Sequence, residues 1–296
     1  MANVLVEESC LSGIASAIRT KNGLTTLYKP SQMAEAISAI PTGGGADVSP
    51  SIISRTITSY SDSTISLVGH AAFVSCLNLT TVDIPNCKNI SMYAFSYCSN
   101  LTTVNAPSCI TIGSSAFQNC YKLATINMPN CTEISNNAFH CCSSLTEINF
   151  SKVSSIYTTA FSGCLNLQSV TLSSCQSLGT YVFNCCYSLS NISLPVCSSV
   201  GSYAFAYCSY LSTISLPSGA RLYSYAFRNC FRLISLYLMG SSVCHLLSGA
   251  VFISTPISTY STITGQYGSI YVPSSLYATY IASTNWVSYS SRFVSI

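Results

Sequence analysis

Phe73, Phe95, Phe117, Phe139, Phe161, Phe183, Phe205 and Phe227 stand 22 residues apart, with no insertion or deletion across the eight units. A unit of that length cannot bury an apolar face by itself, so a chain built this way must stack its units into a solenoid. The other fixed columns show how each unit is made. Ala precedes the Phe in every unit but one, where Val182 stands. Cys follows three residues later (Cys76, Cys98, Cys120, Cys142, Cys164, Cys186, Cys208, Cys230), and Leu three after that (Leu79, Leu101, Leu123, Leu145, Leu167, Leu189, Leu211, Leu233). Beyond the Leu, apolar and polar residues alternate, as in Leu101, Val104, Ala106, Pro107 and Cys109, which is the pattern of a short strand with one buried face. A second aliphatic anchor closes each unit: Ile90, Ile112, Ile134, Ile156, Leu178, Val200 and Leu222.

The unit therefore reads AFxxCxxLxxVxLPxCxxIxxx, and its period and strand core match the leucine-rich repeat signature. Over about Val68 to Leu238 it resembles the BspA-like subgroup of leucine-rich repeats. The resemblance implies a leucine-rich-repeat solenoid with a parallel β-sheet on one side and turns or short helical coils on the other. It also implies adhesion or protein binding at a bacterial surface. Eight strands spaced ~4.8 Å apart predict a sheet roughly 40 Å long.

The flanks differ from the repeats and divide the chain into four parts. Residues 1–42 read as a small α-helical attachment module, because Leu11, Ile14, Ala15 and Ile18, then Met33, Ile37 and Ile40, recur at helical spacing. Residues 43–50, opening on Gly43, Gly44 and Gly45, read as a flexible linker. The solenoid takes 51–254, and 255–296 form an α/β cap with a strand ending at Val272, a helix starting near Ser274 and Trp286 folded back as a plug. Cys244 falls where the next closing anchor is expected. The pattern IASAIRTKNG followed by PSQMAEAISAI resembles modules at the start of phage and prophage tail-associated proteins. That resemblance implies contact with itself or with another structural protein, and location in a virion. The segment MANVLVEESC puts two glutamates where a secretory signal carries a basic patch and an apolar run. It belongs either to a trimmed mature form or to a protein that does not use standard export.

Charged residues make up only 6% of the chain, against roughly 25% in ordinary domains. Ser, Thr, Asn and Tyr must therefore solvate the surface. The net charge of +3 is scattered, with no run of Lys or Arg to hold nucleic acid. Arg221, Arg228 and Arg232 come nearest to a basic cluster and read as solvated edge charges. Mean hydropathy is +0.43, yet no stretch approaches the 18 or more apolar residues of a spanning helix, so no membrane insertion is expected.

Seventeen cysteines raise the question of disulfides and metals. Residues on neighbouring coils lie ~4.8 Å apart, whereas a disulfide needs Cβ atoms at ~3.8 Å. Thiols acting as small apolar filler, with weak S–H bonds to carbonyls, are the expectation. Cys141 with Cys142, Cys185 with Cys186, and His140 are the best zinc candidates, but they lack paired CxxC or CxxH knuckles, so neither a metal nor any other cofactor is expected. Glycan hydrolysis needs two carboxyl groups about 5 to 9.5 Å apart. Asp83 and Glu147 share the strand face but lie three rungs apart, ~14 Å, and Glu133 is placed in an outer turn. His70, His140 and His245 are scattered. The chain thus reads as non-enzymatic, and a tail-associated hydrolase is left without a catalytic pair.

Two surfaces remain as binding candidates for a protein or surface-glycan partner. The outward positions of the sheet are Thr81 and Asp83, Thr103 and Asn105, Thr125 and Asn127, Glu147 and Asn149, Ser169 and Thr171, Asn191 and Ser193, Thr213 and Ser215, then Ser235 and Tyr237. Thr125, Asn127, Glu147 and Asn149 form the middle rungs, where a hot spot would be most fully desolvated. The alternative is a tyrosine edge on the opposite turns, made by Tyr93, Tyr181, Tyr203 and Tyr225, since Tyr offers large contact area at low entropic cost. A phage-tail receptor-binding protein, a bacterial surface adhesin and a purely structural spacer all fit this reading.

Overall fold

The computed structural model describes residues 57–296; the expected helices of 1–42 and the linker at 43–50 lie outside the described residues. Each 22-residue coil contributes two short strands and a turn, so the solenoid has three walls. The front wall holds β1 (Ser59–Ser61), β3 (Thr81–Asp83), β5 (Thr103–Asn105), β7 (Thr125–Asn127), β9 (Glu147–Asn149), β11 (Ser169–Thr171), β13 (Asn191–Ser193), β15 (Thr213–Leu216), β17 (Ser235–Leu238), β19 (Ser269–Val272) and β20 (Phe293–Ser295). The side wall holds β2 (Leu67–Val68), β4 (Asn89–Ile90), β6 (Thr111–Ile112), β8 (Glu133–Ile134), β10 (Ser155–Ile156), β12 (Ser177–Leu178), β14 (Ser199–Val200), β16 (Arg221–Leu222) and β18 (His245–Leu246). All pairings are parallel, and through the repeats each residue faces the one 22 positions on, as Thr81 faces Thr103 and Ile90 faces Ile112.

The two walls are not equally regular. The side wall is one continuous nine-stranded sheet, whereas the front wall is three separate sheets, β1-β3-β5-β7, β9-β11-β13 and β15-β17-β19-β20. The expected single eight-stranded sheet is corrected on both counts: there are eleven front strands, and the ladder is interrupted twice. At the first seam the last apolar position of the strand changes size. It is Ala106 on β5's coil and Met128 on β7's, but Phe150 on the next, with its ring 6.1 Å from both Phe139 and Phe161. The change of size coincides with the seam, although the ring itself lies between Phe139 and Phe161 on either side of β9, where the β9–β11 ladder is intact. Nothing in the residues at the second seam, between β13 and β15, accounts for it.

The third wall consists of turns rather than helix. Ala71, Phe73 and Ser75 donate their N–H groups to the carbonyls of Met92, Ala94 and Ser96 on the next coil, at 2.7–3.0 Å. The alternate residues Ala72, Val74 and Cys76 donate back to Gly69, Ala71 and Phe73 of their own coil, at 3.1–3.3 Å. This alternation satisfies every N–H of the segment, and it requires left-handed backbone two residues before and two after each Phe, as at Tyr93 (φ 58°) and Tyr97 (φ 62°). L-residues adopt that region at a cost of roughly 1–2 kcal/mol each, so the wall is strained unless its side chains compensate.

The interior is a set of columns. Consecutive rings of the Phe column stack at 4.8–5.6 Å from Phe73 to Phe227, every ring is fully buried, and Phe252 continues the stack at 5.5 Å after an insertion of three residues. Burial of each ring contributes roughly 1.5–3 kcal/mol. The sixteen described cysteines are thiols. The expected S–H ladder is present: Cys98 donates to the carbonyl of Phe73, Cys120 to Phe95 and Cys142 to Phe117 at 3.0–3.1 Å, and the pattern runs on to Cys230 and Phe205. A second column, Cys87, Cys109, Cys131, Cys175 and Cys197, bonds two residues ahead in its own coil.

Both ends depart from a simple count of 22. At the start, Tyr60 covers the end of the Phe stack at 4.8 Å, and its hydroxyl donates to Asp62. At the far end, Leu246 rather than Cys244 pairs with Leu222 and is the closing anchor, because the loop before it is two residues longer. Helix α1 (Ser274–Ala282) and Trp286 fold over that strand as expected. Trp286 Nε1 donates to the Cys244 carbonyl, the Tyr280 hydroxyl accepts the Cys244 N–H, and Asn285 Nδ2 donates to the Leu246 carbonyl, at 2.7–2.8 Å. The side wall therefore ends with its backbone groups satisfied, while β19 and β20 extend the front wall by two more rungs.

Candidate binding surfaces

The strand alternation sends Val82, Val104, Ile148 and Val170 into the core and leaves the flanking residues facing solvent. Thr81, Asp83, Thr125, Asn127, Glu147, Asn149, Asn191, Ser193, Thr213 and Ser215 are exposed, and Thr103, Asn105, Ser169, Thr171, Ser235 and Tyr237 are half-exposed. The register aligns them into two files. In one, Asn127 Nδ2 donates to Asn105 Oδ1 and Asn105 Nδ2 to Asp83 Oδ1, each at 2.7 Å. Sequence reading placed these residues on the face but missed that they hold one another. The signal was available, since a run of Asn at a 22-residue period on parallel strands builds an amide ladder.

The four middle-rung residues are not on one sheet. Thr125 and Asn127 close the first front sheet on β7, and Glu147 and Asn149 open the second on β9. The proposed centre of the face therefore straddles a seam. Toward the C-terminal end the face becomes aromatic, with Tyr237 and Tyr271 stacked at 4.5 Å.

The tyrosine edge forms on the turn wall. Tyr181 stacks on Tyr203 at 4.6 Å and Tyr203 on Tyr225 at 4.8 Å, all three on left-handed backbone. Stacking offsets part of the strain. Tyr93 occupies the same column four coils away and meets His70 edge-on at 5.8 Å, so it is separate from the trio. The guanidinium of Arg228 lies 5.6 Å from the Tyr225 ring centroid, and its buried Nε has no hydrogen-bond partner.

The residues weighed for chemistry do not converge. Glu133, expected in an outer turn, instead opens side-wall strand β8, away from Asp83 and Glu147 on the front. His140 Nε2 lies 3.4 Å from Cys141 Sγ, and burial lowers the His140 pKa. Among the described residues no three His, Cys, Asp or Glu side chains are grouped to hold a metal ion. No helix among them is long and apolar enough to cross a membrane.

The model for the BspA-type leucine-rich repeat region matches residues 66–183 and 132–257, in six copies. No curated protein matches the chain. Among solved structures, a leucine-rich repeat protein from Bacteroides ovatus is 23% identical, with 71% of this chain aligned to 60% of that one at a TM-score of 0.47. One from Eubacterium ventriosum is 21% identical, with 69% aligned to 60% at a TM-score of 0.42. A leucine-rich cell surface protein from Faecalibacterium prausnitzii is also 21% identical, with 67% aligned to 78% at 0.34. This chain thus spans about 60% of the length of two of these three structures.

Proposed function

We propose, from the premise that this chain belongs to the BspA-type leucine-rich repeat family, that it is a non-enzymatic adhesion protein presenting its solenoid surface to a protein or glycan outside the cell. The observation that carries this reading is the stacked trio Tyr181, Tyr203 and Tyr225, a rigid aromatic surface held on a strained backbone. Placing large rings there costs stability, and flat rings on a stiff scaffold are what a contact surface needs. The front face, with its short neutral side chains, is the second candidate. The cell-surface description of the Faecalibacterium structure agrees with this setting.

The test is a binding screen of the full chain against bacterial surface glycans and extracellular matrix proteins, followed by substitution of each surface. Tyr181→Ala with Tyr203→Ala and Tyr225→Ala is expected to weaken binding to the identified partner at least tenfold. Thr125→Lys with Asn149→Lys tests the front face in the same way. Binding that survives both sets removes both sites.

A finer reading, attachment to a phage tail through residues 1–42, is supported by the N-terminal sequence pattern alone. Sedimentation of the chain with tail structures would favour that reading over a cell-surface adhesin.

A further inference from the structure

All eight acidic residues, Glu7, Glu8, Glu35, Asp47, Asp62, Asp83, Glu133 and Glu147, precede residue 148, and from there to Ile296 the chain has Lys152, Arg221, Arg228, Arg232 and Arg292 but no aspartate or glutamate. Two of these arginines are each laid over a tyrosine by the fold. Arg232 lies over the ring of Tyr210 at 4.3 Å, and Arg292 over the ring of Tyr267 at 3.6 Å. The strand register places the four residues on four successive rungs at the C-terminal end of the front wall. Tyr210 and Arg232 each stand three residues before the paired positions Thr213 and Ser235, Tyr267 stands two before Ser269, and Arg292 falls beside Ser269. The order along the wall is Tyr, Arg, Tyr, Arg.

We propose that this strip binds an anionic polysaccharide, with sugar rings against the tyrosines and carboxylate or sulfate groups on the guanidinium rims. Stacking fixes the plane of each guanidinium and leaves its in-plane N–H donors facing outward, the arrangement that holds a planar or tetrahedral oxyanion. Glu147 is the nearest acidic residue along the front wall and lies four rungs from Arg232, ~19 Å, well beyond a Debye length at physiological salt. The two arginines are two rungs apart along the solenoid axis, ~9.6 Å, and about three residues apart along the strand direction, so an extended chain crossing this corner obliquely can meet both. Beside the strip, Phe231, Tyr260, Ile263 and Thr259 line an open cleft of about 160 Å³, and Tyr260 meets Tyr267 edge-on at 5.4 Å. That cleft offers an apolar wall and hydroxyls to a neighbouring sugar ring. Arg232, read from sequence as a solvated edge charge, thus gains a role from the tyrosine beneath it. A single-stranded nucleic acid also stacks on tyrosine, but two arginines neutralise few phosphates, and the rest of the front wall is neutral or acidic.

The inference deepens the adhesion reading by naming a ligand class at a separate place on the molecule. Its test is retention of the full chain on immobilised heparin and polygalacturonate, with neutral dextran and an oligothymidylate as comparisons. The wild type is expected to bind the two anionic polysaccharides at low salt, to release as salt rises, and to ignore dextran. Arg232→Gln with Arg292→Gln is expected to cut affinity at least tenfold, and Tyr210→Leu with Tyr267→Leu several-fold, all with little change in thermal unfolding because Tyr210, Arg232 and Tyr267 are exposed and Arg292 is half-exposed. Lys88→Gln, on the side wall, is expected to bind as wild type. No binding, equal loss in Lys88→Gln, no loss in the double arginine variant, or tighter binding of the oligonucleotide would each overturn the proposal. The adhesion reading has its own test in the screen with the Tyr181 and Thr125 variant sets, so either can fail without the other.

Discussion

The side wall keeps its ladder through nine strands, while the front wall, made by the same coils, breaks twice. The residues in the two walls differ in a way that goes with the first of these breaks, though not with the second. On the side, the buried anchor is Val, Ile or Leu in every coil from Val68 to Leu246, so each rung needs the same room. On the front, the last apolar position runs Ile84, Ala106, Met128, Phe150, Leu172, from a methyl group to a ring. Uniform length gives a solenoid, and uniform anchor volume accompanies the unbroken side sheet, but the second front break falls between Leu194 and Leu216, which are alike in volume.

The largest expected effect comes from attacking the interior that backs the continuous wall with alkali. Burial pushes the thiol of Cys197 up to about 11 and those of Cys131 and Cys175 to about 12, and raises Cys120, Cys142, Cys164, Cys186, Cys208 and Cys230 well above the ordinary value. An unfolded thiol titrates near ~8.5. Above that pH the unfolded chain binds fewer protons than the folded one, so the stabilisation, complete below ~8.5, is lost as pH climbs toward the folded values. Each thiol contributes a slope of about 1.4 kcal/mol per pH unit, and nine acting together exceed an ordinary folding stability within one to two units. Circular dichroism and thiolate absorbance should change together near about pH 10. A chain still folded at about pH 12 would show that burial does not raise these thiols.

Removing one ring is the next test. Phe139→Ala, in the middle of the stack, is expected to cost about 3–5 kcal/mol in denaturant unfolding, because both neighbouring rings lose a face. A loss under about 1 kcal/mol would mean that the column collapses around the gap.

The seam can be tested by restoring uniform volume. Phe150→Leu is expected to let β7 and β9 pair and to give Met128 N–H a partner on the next coil. Hydrogen exchange at Met128 should slow on the order of tenfold, the value of one backbone bond. Exchange unchanged by the substitution would clear Phe150 as the wedge.

The smallest effect belongs to the turn wall. Thr159 is a β-branched residue at φ 61°, and Asn tolerates that region better. Thr159→Asn is expected to raise stability by up to about 1 kcal/mol. A lower melting temperature would mean that the Thr methyl packs usefully on its neighbours.

What sequence reading recovers and misses follows from the same contrast. The Phe, Cys, Leu and closing-anchor columns are legible because identical residues at a fixed period have one structural meaning. The first coil is missed although Ile57 and Val68 stand 22 residues before Leu79 and Ile90. Its Tyr60 and Asp62 replace the usual aliphatic pair, as an end coil with only one neighbour allows. Past Leu238 a two-residue insertion moves the anchor to Leu246, and counting by 22 lands on Cys244 instead. The first front seam coincides with a change of volume, which an apolar-or-polar pattern does not record, and the second follows no feature of the pattern. Tyr210 and Arg232 share the 22-residue period, but Tyr267 and Arg292 lie beyond the insertions and fall into line only through strand register.

Equal coils also fix how the molecule yields to force. Each folded coil occupies about one strand spacing, ~4.8 Å, along the axis, yet its 22 residues drawn straight reach roughly 73–79 Å. Pulled from its ends, an attached chain would pay out in near-identical steps of about 70 Å, one per coil released. A tether of this kind limits the peak load on whatever it grips, and lengthens under flow before it lets go.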